Sequence, residues 1–304
     1  PTRTPGGSSS GSAAAVAAGM VPLALGSQTG GSMLRPASFC GVYGYKPSFG
    51  SISRAGVFSL SRRLDHLGVY ARSLTDLALI GDVLMVFDAA DTEMRCHAGR
   101  ELVRALAEPR DDEPRLAVFK GEQWASLEAG TEAAFKACLG DLGIAVGEAD
   151  DSAGAGALAV HATIMDASAN ANLGRHLERA DELLAETVKR ISAGRDIKAS
   201  DYVTAIDRAA EISRALDELF DGADALLSPA APGEAPPGLE RTGNPVFQKI
   251  WTLAGMPTIS LPVMTGPNGL PIGLQVIGRR GRDRELFRVA QWMEANGLAP
   301  ESAT

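Results

Sequence analysis

Cysteine is nearly missing from this sequence. Its three copies, Cys40, Cys96 and Cys138, are scattered through 304 residues. None belongs to a Cys-x-x-Cys pair or a Cys/His cluster, so neither a disulfide framework nor a structural zinc site is expected. So sparse a count suits a reducing compartment, and the expected location is the cytoplasm. Long apolar runs are missing too. The longest, Ala13 to Gly26, is interrupted by Gly19 and Pro22 and falls short of a membrane span. Positive charge is in deficit, with a formal net charge of −8, which argues against a nucleic-acid partner. No glycine-rich turn runs into a Lys-Ser/Thr pair, which removes a phosphate-binding NTPase. No metal and no other cofactor is expected. The chain starts at Pro1 rather than Met. That start is expected of a piece of a longer protein, so the lack of a signal peptide excludes nothing.

What is present reads as a globular α/β protein. Hydrophobic residues make up 45% and charged residues 22%, enough apolar material at this length for a substantial core. Apolar runs of strand length alternate with helical periodicities. Helices are expected from Ser12 to Gly19, near Pro36, from Leu74 under a Ser73 cap, over 128–141, through most of 152–223, over 245–255 and over 282–296. Strands are expected in "MVPLALG" (buried), "CGVYGYKPS", "LGVYARS", "RLAVFKG", "IAVGEAD" and "ADALLSP", with an antiparallel hairpin over 256–278. Residues 89–114 read as polar surface. The fold class is therefore α/β, a mixed twisted sheet flanked by helices on both faces, with one domain over 1–304.

Charge is unevenly spread. Residues 1–72 carry seven basic side chains against Asp65 alone, a local excess of +6. Such a segment, rich in glycine turns, favours an anionic ligand or neutralises acidic neighbours in the fold. Within it, "TPGGSSSGSAAAVAAG" does not read as a linker, because it feeds directly into apolar Ala and Val. "GSQTGGS" follows, ending at Ser32. Two glycines before a serine at a strand-to-helix turn point several backbone N–H groups one way, a nest for an anion or an oxyanion.

Taken together, residues 4–78, from "TPGGSSSGS" through "GSQTGGSMLRP" to "RLDHLGVYARSLTDLAL", resemble the amidase signature family. The resemblance returns over 226–290 in "LLSPAAPGEAPPG", "GNPVFQKIWTLAGMP" and "GLPIGLQVIGRRGRD". It implies an amidohydrolase acting on a linear amide C–N bond of a small molecule. Ser32 would be the acyl-forming nucleophile, and Ser8, after a cis peptide bond, the proton relay. Thr29, Gly30, Gly31 and Ser32 would form the oxyanion hole, and Ser9 would help to hold a catalytic lysine. The family places that lysine on a strand well before the Gly-Gly-Ser-Ser run. Only seven residues precede Ser8 here and none is Lys; Lys46 matches a different family lysine and is read as structural. The domain is accordingly expected to lack its upstream segment. Gln28 and Arg35 resemble the malonamidase and biuret-related branch, where the matching arginine pairs with a substrate carboxylate, so both are expected to bind substrate. On that reading Arg35→Ala weakens hydrolysis of carboxylate-bearing amides most.

Two rivals are weighed. A naturally shortened member could serve in an interaction or scaffold role. "GSSSG" also fits the nucleophile elbow of an α/β-hydrolase esterase using Ser9, but no apolar strand precedes it, and His66, His97, His161 and His176 offer no evident partner. Gln275 and "GRRGRD" are read as framework. The 229–238 loop and Asn244 are expected at the substrate entrance, with Trp124 and the 152–223 helices on the acyl side. A homodimer is among the options left open.

Overall fold

Among the described residues, eight strands pair edge to edge, in the order β1-β3-β2-β7-β8-β6-β4-β5. The computed structural model describes residues 2–94 and 101–298; Cys96 and His97 lie outside them. In chain order the elements are α1 (Ser10–Ala17), β1 (Ala24–Gln28), α2 (Leu34–Cys40), β2 (Tyr43–Lys46), β3 (His66–Ala71) and α3 (Leu74–Leu84). Next come α4 (Leu102–Ala107), β4 (Leu116–Val118), α5 (Ala129–Asp141), β5 (Val146–Glu148), α6 (Ala157–Leu173), α7 (Ala185–Ala193) and α8 (Ala199–Glu218). The chain then runs through β6 (Ala225–Pro229), α9 (Val246–Ala254), β7 (Thr258–Thr265), β8 (Pro271–Ile277) and α10 (Asp283–Ala295).

The sheet is mixed. β4 runs parallel to β5 and β6, and the other pairings are antiparallel, including the expected β7–β8 hairpin. Period-two alternation sends neighbouring side chains to opposite layers. In β6, Ala225 and Leu227 join a core with Tyr45, Val69, Leu77, Phe135 and Phe287 beneath α3, α5 and α10. Leu226 faces the other way, toward Phe119, Ile164, Ile212 and Trp251 beneath α6, α8 and α9. A smaller cluster of Ala13, Val16, Met33, Ala37 and Tyr70 seats α1 and α2. Helices on both faces are what an apolar sheet with few solvent-facing positions requires.

Local signals place several boundaries. Ser73 Oγ accepts the Asp76 N–H at 3.1 Å and opens α3. Gly255, at φ 67°, closes α9 in the left-handed conformation that glycine adopts without steric cost. Elsewhere the structure departs from the sequence reading. The "MVPLALG" strand is not buried: β1 is a sheet edge, with Met20 and Leu25 exposed. Ser27 and Gln28 belong to this strand rather than to the following turn. Residues 89–114 are not all surface, because Leu102 and Ala105 of α4 are fully buried against α3 and α10. Within the largely helical 152–223, residues 177–194 do not form one continuous helix. They break at Leu183 and Leu184, where 3₁₀ turns give way to α7.

Candidate active site

The loop from Thr29 to Met33 joins edge strand β1 to α2, and its carbonyls are tied down one by one. His161 Nε2, on α6, meets the Thr29 carbonyl at 2.8 Å. The Thr252 hydroxyl, on α9, lies 2.9 Å from the Gly30 carbonyl. The Arg35 N–H donates to the Gly31 carbonyl at 3.2 Å, and the Ser9 N–H to the Ser32 carbonyl at 3.3 Å. The Tyr70 hydroxyl is placed between the Ser32 and Met33 carbonyls, at 3.3 and 3.0 Å. The N–H groups of residues 29–32 have no protein acceptor among the described residues. Backbone amides left unpaired beside a half-buried serine form a ready anion cradle.

Gln28 sets where that cradle ends. Its Oε1 accepts the N–H groups of Met33 and Leu34 at 3.0 and 3.1 Å, and its Nε2 donates to Thr252 Oγ1 at 3.0 Å. These are orphan donors at the start of α2, so Gln28 acts as a cap from five residues upstream. The Gln28 side chain, expected to bind substrate, is buried and its partners are internal. Gly31 answers a different need. A Cβ there would come within 2.5 Å of Gln248 Oε1 and 2.8 Å of Pro245 Cβ, so only glycine lets α9 pack against the loop.

The Gly-Gly-Ser-Ser run lies alongside. The Gly7–Ser8 peptide is cis. The Ser9 hydroxyl bridges the main chain of Ser27, accepting its N–H at 3.1 Å and lying 3.2 Å from its carbonyl. This bridge fastens the run to the end of β1. It also leaves Ser9 poorly placed as an esterase nucleophile. The elbow reading is therefore set aside. Ser8 is exposed, and with Ser27, Thr29, Arg54, Asp65 and His66 it lines a cavity of about 460 Å³.

Arg35 lies in the first turn of α2. Its guanidinium donates to the carbonyls of Gly7 and Gly243, the latter at 3.0 Å, and to Thr242 Oγ1 at 3.1 Å. It is only 4% exposed, and burial lowers its pKa to about 10. The guanidinium expected to bind substrate fixes the carbonyl immediately before Ser8. Lys46 is fully buried, with its Nζ on the Met256 and Pro47 carbonyls, in keeping with a structural part.

Residues that local sequence reading passed over complete the site. Thr29 Oγ1 donates to Asp65 Oδ1 at 2.6 Å. Asp65 Oδ2 gathers the Ser59 hydroxyl and the Leu60 and Ser61 N–H groups at 2.9 to 3.0 Å. The signal was available, since Asp65 is the lone acid among the first 72 residues. Asn244 accepts the Val246 N–H at the start of α9. Trp124, expected on the acyl side, packs instead edge-to-face on Phe135 and Phe247. Among the described residues, no cluster of three or more His, Cys, Asp or Glu is arranged for a metal ion.

His161 titrates in a revealing way. Burial pushes its pKa down from 6.5 to about 4, with the Thr29 contact opposing and Lys249 and Arg190 adding to the drop. The ring is thus neutral near pH 7 with its proton on Nε2, the nitrogen facing the carbonyl. A basic group depressed on folding costs stability as pH falls, because the unfolded chain takes the proton first. Folding stability should decline between pH 6.5 and 4, with His161 accounting for up to about 3 kcal/mol. Urea titrations across that range check this. His161→Gln, which keeps an N–H donor, should flatten part of the decline.

Known proteins resemble this chain in sequence and fold. Residues 1–287 match the Amidase family. The chain belongs to the amidase family. It is 36% identical over 96% of its length to a glutamyl-tRNA(Gln) amidotransferase subunit from Anaeromyxobacter sp. (strain K), spanning about two thirds (67%) of that relative. Two solved structures superimpose closely. One comes from a vestigial protein complex bearing on the origins of an s-triazine catabolic enzyme, with TM-score 0.89, 30% identity, 98% of this chain and 68% of that one covered. The other is 6-aminohexanoate cyclic dimer hydrolase complexed with substrate, with TM-score 0.84, 27% identity, 98% and 69% covered. The mixed sheet with helices on both faces is thus that of an amidase. No helix among the described residues is long and apolar enough to cross a membrane.

Proposed function

We propose that this amidase-family chain cleaves a linear amide through an acyl-enzyme on Ser32. The hydroxyl of Ser32 attacks the amide carbonyl and passes its proton through Ser8 to a neutral lysine amine, which the family resemblance places ahead of Gly6 in sequence. A serine hydroxyl is a weak nucleophile without such a base. The tetrahedral oxyanion sits against the N–H groups of residues 29–32. Collapse breaks the C–N bond, and the leaving nitrogen takes the relayed proton and departs as ammonia or an amine. Water then attacks the acyl-enzyme, releasing a carboxylic acid and restoring Ser32.

The observation that carries this reading is the pinned loop: its carbonyls are held by α6, α9, α2 and the Ser9 N–H, which leaves its amides to a ligand. Preorganised donors of this kind are worth about 10²–10³ in rate apiece. On protein that includes the upstream lysine, a fluorophosphonate probe followed by peptide mapping provides the test. Label is expected on Ser32 and absent from Ser32→Ala. Label on Ser9 would support the esterase instead, and an unlabelled chain with no amide turnover would support a scaffold role.

A further inference from the structure

One wall of the cavity beside Ser8 is a loop fixed at its base and bare at its tip. Asp65 Oδ2 holds the Ser59 hydroxyl and the Leu60 and Ser61 N–H groups. Arg54 pairs with Asp91 at 3.0 Å and donates to the Arg62 and Asp65 carbonyls. From α6, Asn172 Nδ2 donates to the Leu60 carbonyl at 3.1 Å, and Ser168 Oγ meets the Ser61 hydroxyl at 3.0 Å. At the tip, the Val57 N–H donates to the Arg54 carbonyl at 3.0 Å, closing a turn with Gly56 at φ 76°. Phe58 follows, 71% exposed beside a 46% exposed Val57, and both line the cavity with Leu60 and Leu67. Of the charged groups in the lining, Arg54, Asp65 and Asp91 are engaged as described and Arg62 is solvent-exposed. What the loop tip offers a ligand is therefore apolar, and its anchored base preorganises it.

The cavity meets the site from one side. Ser8, Ser27 and Thr29 line it, and Gly30, Gly31 and Ser32 do not. The Ser9 N–H on the Ser32 carbonyl keeps Ser8 next to the nucleophile. In the acyl-transfer reading Ser8 relays the proton that the leaving nitrogen takes, so a group bonded to that nitrogen extends into this space. We propose that the 55–60 loop, through Phe58 and Val57, receives an apolar substituent on the leaving nitrogen. The substrate is then an N-alkyl or N-aryl amide. The C–N bond breaks, the nitrogen takes the relayed proton, and a primary amine departs in place of ammonia. The proposal rests on the acyl-transfer reading above. Room is sufficient: a cavity of about 150 Å³ already takes up benzene, and this one is about 460 Å³.

The N-methyl and N-benzyl amides of propionic acid, given to protein that includes the upstream lysine, provide the test. Their acyl groups are identical, so a difference reports the nitrogen side alone. The N-benzyl amide should have the higher kcat/KM, by about 10-fold or more. In Phe58→Ala the benzyl to methyl ratio should fall about 10-fold, through KM, with Phe58→Leu keeping most of the preference. Protection of Ser32 from the fluorophosphonate by each amide gives a second readout that needs no turnover. The N-benzyl amide should protect at about 10-fold lower concentration, and Phe58→Ala should narrow that gap. No benzyl preference in wild-type protein, or an unchanged ratio in Phe58→Ala, would overturn the proposal. So would an equal loss on both amides with a lower melting temperature, which would make Phe58 a packing residue. Failure of the hydrolase reading looks different: neither amide would be cleaved and Ser32 would escape the probe.

Discussion

Ser32→Ala, made in protein that includes the upstream lysine, is expected to lower amide turnover by about 10⁴-fold or more while leaving the melting temperature within about 2 °C. The two halves of that expectation have separate origins. The hydroxyl is the group that would become acylated, and nothing else in the loop replaces it. The Ser32 main chain, by contrast, keeps its ties, because the Ser9 N–H and Tyr70 hydroxyl both address the carbonyl. Alanine preserves them, so the cradle survives without its nucleophile. Steady-state kinetics beside a thermal melt check both halves. A variant that kept full turnover would remove Ser32 from the reaction, and one that melted far lower would make the serine a structural residue.

Arg35→Ala should damage the protein in another manner. The guanidinium satisfies the carbonyls of Gly7 and Gly243 and the Thr242 hydroxyl. Removing it leaves two carbonyls without their donor in a region that alanine cannot refill. Each costs about 1–3 kcal/mol, so a drop in melting temperature of about 5–10 °C is expected for a chain of this size. Activity should fall together for carboxylate-bearing and neutral amides, because the Gly7 carbonyl sets the position of Ser8 whatever the substrate. Arg35→Lys should not rescue it, since a single ammonium cannot span three acceptors in a planar fork. Parallel kinetics on a half-amide and its diamide check this. A selective loss on the half-amide would return Arg35 to substrate binding.

The sequence made the scaffold legible where local chemistry decides it. Ser73 caps α3, Gly255 ends α9, and the "TGPNG" turn joins β7 to β8, each fixed by residues within a few positions. It misled where tertiary position decides. "MVPLALG" is apolar enough for a buried strand, yet its place at the sheet edge exposes Leu25. Leu102, Val103, Ala105, Leu106 and Ala107 form an apolar run of less than two helical turns in a polar stretch, too short to signal a helix, and burial of Leu102 and Ala105 against α3 and α10 makes α4. The site divides the same way. The Thr29–Ser32 turn is contiguous and readable. Its supports lie far off in sequence: Thr252 reaches back to Gly30 and His161 to Thr29. Arg35 is the instructive case. A basic residue in a +6 segment reads as a ligand for an anion, and only the fold reveals that main-chain carbonyls already occupy it.

Because the reactive turn borrows its shape from segments as distant as Ser9 and Thr252, it cannot be inherited by any one of them. A refolding chain would regain its helical signal well before α6 and α9 close over β1, since contacts of long sequence separation form late. Recovery of catalytic power would trail that signal, making enzyme activity a stricter gauge of correct assembly than circular dichroism.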